Sequence, residues 1–151
     1  MPEVNYVYWK DQFGGSSVRS RNKTGSYAYK IGSSGALQAL VADEEVKVES
    51  DRTAVVAVQE VIIPPRSIVV PSFDIKHALG YVVGALGTGT PTTYDERREV
   101  RQVIFHPIAN GTIQRSDLLG MFNTLYSREE FEHDLMGEEV ARLLEERDWF
   151  G

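Results

Sequence analysis

Cysteine is absent from this 151-residue chain. That excludes disulfides, thiolate zinc sites, iron–sulfur clusters and a cysteine nucleophile, and it fits a reducing, cytoplasmic setting. Long apolar runs are missing too. No stretch approaches the roughly 20 residues that a membrane span requires, so no membrane partner is expected. Met1-Pro2-Glu3-Val4-Asn5 has no basic region leading into an apolar one, so no signal peptide is expected. Histidine is scarce: His77, His106 and His133 are the full set, and a metal site needs two or three converging ligands. There is no Gly-x-Ser-x-Gly element, no P-loop, and no Ser, His and Asp order that reads as a triad. Neither a metal nor a cofactor is expected, and a non-enzymatic reading is preferred.

What is present is an ordinary globular balance, 42% hydrophobic and 25% charged, which permits one domain with a real core. The net charge of −6 is unevenly placed. Residues 127–151 carry nine acidic side chains against three basic ones, whereas Lys10, Arg19, Arg21, Lys23 and Lys30 face only Asp11 across residues 10–30. A basic arm and an acidic tail point to contact between them, within a subunit or between neighbours. Nucleic acid would need a broader basic patch with stacking aromatics, so a protein partner or a homo-oligomer is the preferred reading.

The most informative stretch runs from His106 to Met121. Asn110-Gly111 is a tight-turn signal, because both residues tolerate positive φ. Ile113 follows, then a second polar turn at Arg115-Ser116-Asp117, then an apolar run from Leu118 to Leu125. Turns this close together build compact β architectures. Val4 to Trp9 reads as a first strand, residues 13–25 as a basic loop, and the alternation of Tyr27, Tyr29 and Ile31 as a half-buried strand. Ala36 to Ala42 is ambiguous between helix and strand, and Val46 with Val48 looks like an exposed strand. Ala54 to Ile63 is a β-branched run interrupted by Pro64-Pro65; Ile68-Val69-Val70 resumes and Pro71 is expected to stop it. Leu79 to Leu86 and Val100 to Ile108 are further strands.

Over residues 128–148 the period changes. Ser127 precedes Glu130 by the capping-box spacing, and Phe131, Leu135, Val140, Leu143 and Leu144 form a helical stripe. The expected fold is therefore mainly β, a compact barrel or β-clip-like sandwich of short strands over residues 1–126. An acidic C-terminal α-helix over 127–151 closes it, with Trp149 and Phe150 beyond the helical stripe.

Two sets of candidate site residues follow. Asp74 and His77, with Thr88 and Thr90 of the Gly87–Thr93 loop, could line a ligand cleft; the loop lacks the lysine of a P-loop. Arg19, Arg21 and Lys23, with Trp149 and Phe150, are candidates for partner contact. The leading expectation is an interaction module, a small subunit or accessory factor of a larger assembly. The alternative is a β-clip-type domain that binds or acts on a small molecule, such as a nucleotide.

Three segments together carry a resemblance: Glu60-Val61-Ile62-Ile63-Pro64-Pro65-Arg66-Ser67-Ile68-Val69-Val70-Pro71, Lys76-His77-Ala78-Leu79-Gly80, and Asn110-Gly111-Thr112-Ile113-Gln114-Arg115-Ser116-Asp117-Leu118-Leu119-Gly120. In that order they resemble an archaeal domain-of-unknown-function family (number twenty-two) over about residues 37–125, leaving the N-terminal arm and the acidic tail outside. The resemblance implies an archaeal, cytoplasmic origin and carries no activity. The double turn also resembles lipoyl and biotinyl carrier domains, but no lysine follows Lys76 to be modified. The Pro-Pro-Arg segment resembles the β-clip of the dUTPase group, whose Gly-Arg-Ser-Ser motif is missing here.

Overall fold

The structure is a computed structural model, and it describes residues 3–23, 30–31, 35–86 and 96–126. Eleven strands run through these residues: β1 (Glu3–Trp9), β2 (Ser17–Lys23), β3 (Lys30–Ile31), β4 (Gly35–Val41), β5 (Val46–Val48), β6 (Ala54–Ile63), β7 (Ser67–Lys76), β8 (Gly80–Leu86), β9 (Arg98–Pro107), β10 (Gly111–Ile113) and β11 (Leu118–Tyr126). They form a four-stranded sheet in the order β3-β4-β11-β7, a three-stranded sheet β6-β9-β8, and the two-stranded pairs β1-β2 and β10-β5. The mainly β expectation is met, but among the described residues no sheet closes on itself into a barrel. The expected acidic helix lies outside the described residues, as do Trp149, Phe150, Thr88 and Thr90. Among the described residues, no helix is long and apolar enough to cross a membrane.

The main core is shared by the two larger sheets. Leu40 and Phe122 enter it from the four-stranded sheet; Val56, Val58, Val61, Ile63, Val103 and Phe105 enter from the three-stranded one. Val56, Val103, Phe105 and Ile113 are fully buried, each contributing roughly 1.5–3 kcal/mol of apolar transfer energy. A smaller cluster joins Val4 of β1 to Val41, Leu118 and Met121.

Three local expectations need correction, and one open alternative is resolved. Ser17–Lys23, inside the expected loop, is a strand that pairs antiparallel with β1 along its whole length. The ambiguous Ala36–Ala42 run is strand through Val41. Pro71 does not end its strand: β7 continues to Lys76 and pairs Pro71 with Phe122. The strand tolerates proline because β7 is at the edge of its sheet, where one row of amides needs no ladder partner. The β5 pair is not exposed, since Val48 is buried and Val46 packs against the core.

The Asn110-Gly111 turn also works differently from the expectation. The two residues do not close a hairpin between β9 and β10, because β10 pairs with β5. The amides of Ile108 and Ala109 both donate to the Leu79 carbonyl (2.7 and 3.3 Å), which steers the chain away from β9. Asn110 Oδ1 accepts from the Ser50 amide at 2.9 Å. Gly111 has no positive φ. Its role is close approach, since a Cβ there would sit 2.8 Å from Leu79 Cδ1. Positive φ belongs to the second turn instead, at Ser116 (φ 76°).

Candidate functional site

The second turn places Asp117 where five segments meet. Its backbone carbonyl accepts from the Ala42 amide, and the Ser116 amide donates to the Ala42 carbonyl, both at 2.8 Å. The Asn5 amide donates to the Ser116 carbonyl at 2.8 Å, so β1 runs alongside this turn. The Ala78 amide reaches the Val7 carbonyl at 2.7 Å, which brings in the connection between β7 and β8.

The Asp117 side chain is fully buried and its carboxylate is saturated with donors. Oδ1 accepts from Asn5 Nδ2 (3.1 Å) and Arg19 Nε (3.0 Å). Oδ2 accepts from Arg19 Nη2 (2.9 Å), the Gln114 amide (2.9 Å) and His77 Nε2 (2.8 Å). Burial pushes the carboxyl up, but the bonds from His77, Arg19, the Gln114 amide and Asn5 outweigh it and hold Asp117 well below the usual carboxylate range. The hydrogen bond to Asp117 raises the Arg19 guanidinium above its ordinary value, against a smaller opposing effect of burial.

His77 is fully buried beside Phe105, ring edge to ring face at 6.2 Å. The Leu79 amide donates to Nδ1 at 3.1 Å. The hydrogen-bond partners therefore assign the ring proton to Nε2, which donates it to Asp117. Both nitrogens are engaged, so His77 orients and joins segments rather than exchanging protons with a ligand.

The structure separates several residues that sequence reasoning grouped. Asp74 lies exposed on β7, and His77 bonds Asp117 instead. Arg19, expected as a free partner-binding residue, is tied to Asp117, and Arg21 pairs with Glu3 at 2.6 Å. Lys23 ends β2 opposite Glu3. Arg19 thus reaches the body of the fold, whereas the Arg21–Glu3 pair lies within the β1–β2 hairpin. His106 stacks at a tilt on Tyr81, with ring centroids 5.4 Å apart. Among the described residues, no group of three or more His, Asp or Glu is placed to hold a metal ion.

Sequence reasoning does not single out Asp117, because a single acid in a polar turn reads as solvated, nor Asn5, because a lone amide within a strand carries no pattern. The burial is a tertiary outcome: Gln114 and Arg115 of the same turn are exposed, while Asp117 is buried.

Beside this cluster lies a cleft of about 550 Å³ between the β1–β2 hairpin and residues 109–114. Trp9 and Leu79 contribute apolar wall, and Ser17, Thr112 and Gln114 contribute uncharged polar groups. Arg19 lies at the boundary of cleft and cluster, with Nη2 also 3.4 Å from the Thr112 carbonyl.

Comparison with known proteins gives two matches. The model of the family described as domain of unknown function DUF22 matches residues 3–111. Uncharacterized protein MJ0614 of Methanocaldococcus jannaschii is 28% identical over 85 residues, covering 56% of this chain and 65% of that protein, just under two thirds of its length. No solved structure matches the chain. The family match begins at residue 3, so it takes in the N-terminal hairpin that the resemblance left out, and it stops short of Asp117.

Proposed function

This chain belongs to the family of domain of unknown function DUF22, and from that premise we propose that it is a non-enzymatic interaction module, a small subunit or accessory factor of a larger cytoplasmic protein assembly. One observation carries the reading. Between Ser72 and Lys76 the β7–β11 register shifts, so residues 73–75 of β7 have no partners on β11. Phe73 projects there with 87% of its surface exposed. On the same sheet Ile68, Val70 and Leu125 are also exposed, and Ile68 and Leu125 are directly paired. An exposed aromatic on an edge strand, in a sheet that carries further exposed apolar side chains, has the character of an interface anchor.

The lack of cysteine supports the cytoplasmic setting. The saturated hydrogen bonding of His77 and Asp117 supports a binding role over a catalytic one. Light scattering after size exclusion, on purified protein and on native extract, tests the proposal. The wild type is expected in a complex larger than a monomer, and Phe73→Ser is expected to release it. A wild type that stays monomeric and brings no partner through purification overturns the reading.

A further inference from the structure

We propose that the cleft between the β1–β2 hairpin and residues 109–114 is a binding site for a small, uncharged, hydrogen-bonding ring compound. Its size is the first ground, since about 550 Å³ falls within the range of pockets that enclose small molecules. The second ground is Trp9, which helps form the wall. Its Nε1 is buried and has no hydrogen-bond acceptor, although a buried indole N–H normally finds one. A small rotation of the indole toward the cleft would open Nε1 to an occupant's carbonyl or ring oxygen, which would supply that acceptor, and the ring would supply apolar surface.

The third ground sets the charge of the occupant. Among the described residues, Arg19 is the sole ionisable one in the cleft wall, and its charge is already balanced by Asp117 through Nε and Nη2. The other polar side chains there, Ser17, Asn110, Thr112 and Gln114, are uncharged. A phosphate or dicarboxylate would enter without a compensating cation, which is costly. A neutral ring would meet amides and hydroxyls suited to it. Nucleosides and monosaccharides share this chemistry.

The test is a nitrogen-15 NMR titration of the full chain, following the Trp9 indole resonance and the Gly14, Gly15 and Thr112 amides. The probes are uridine, adenosine, glucose and ribose at millimolar concentration, with inorganic phosphate and adenosine monophosphate as charged comparators. At least one neutral probe is expected to move these resonances in a saturable way. Nucleosides and sugars acting in separate arms identify which source of ring is preferred.

Trp9→Phe keeps the flat ring but removes the donor, and is expected to weaken binding about tenfold. Gln114→Ala, an exposed side chain whose loss leaves the backbone bond to Asp117 intact, gives a second variant free of folding concerns. It is expected to weaken binding several-fold. No saturable shift with any neutral probe overturns the proposal. So does tighter binding of phosphate or the monophosphate at the same resonances. None of these outcomes depends on Phe73, so the cleft and the assembly reading stand or fall separately.

Discussion

Replacing Asp117 with asparagine keeps the shape and removes the charge. The carboxylate accepts from Asn5, from Arg19 twice, from the Gln114 amide and from His77. An asparagine with its oxygen at the Oδ2 position keeps three of these bonds, but turns its amide toward Asn5 Nδ2 and Arg19 Nε. Asn5 can flip and accept, whereas Arg19 has no acceptor to offer. The reverse orientation sets the new amide against three donors, including the fixed Gln114 N–H.

Breaking a buried pair from one side costs about 3–5 kcal/mol. The Arg19 side chain retains 32% exposure, so water recovers part of its charge and the low end applies, about 3 kcal/mol. That is a large fraction of the 5–15 kcal/mol typical of a domain, and corresponds to a melting temperature lower by roughly 10 °C. Urea titration followed by tryptophan fluorescence measures it, with an unchanged slope showing that the folded state is otherwise the same. A loss below about 1 kcal/mol would refute the view that this carboxylate ties its turn to three other segments.

The remaining predictions are quicker to state. Because the folded pKa of Asp117 is depressed, its stabilisation is complete well above the unfolded value of about 3.9 and is lost as pH falls toward the folded value. Wild-type midpoints should drop between pH 5 and pH 3, and Asp117→Asn should show a visibly shallower drop; parallel curves would contradict this. Gly80→Ala should cost more than Gly111→Ala, since its Cβ would lie 2.2 Å from the His106 carbonyl oxygen and 2.9 Å from the Phe105 ring, while Gly111 meets the ends of Leu79. Overpacking of this kind costs about 1–3 kcal/mol or more, and equal unfolding midpoints would argue against the ordering. Ser116→Gly should stabilise by about 0.5–1 kcal/mol by relieving a positive φ of 76°, read from the same titrations. Phe73→Ser should leave the monomer's stability within about 0.5 kcal/mol while changing its association, a combination that separates a surface role from a folding one.

Periodicity and turn chemistry in the sequence by themselves determined a mainly β chain. Ala54–Ile63 was legible to the residue, and β1, β8, β9 and β11 to within a residue or two, because alternating or continuous β-branched runs bounded by glycine and proline have few other solutions. Pairing was not legible. Whether β10 joins β9 or β5, and whether β7 survives Pro71, depend on which strand lies alongside, and that is a non-local choice. The site was decided the same way. Asn5, Arg19, His77 and Asp117 span 112 residues of sequence, and only the folded chain brings a polar atom of each of the first three within 3.1 Å of the Asp117 carboxylate. A lone acid in a polar turn looks solvated until tertiary packing buries it. Once buried, it must gather every donor in reach, because a carboxylate without partners in the interior is too costly to keep.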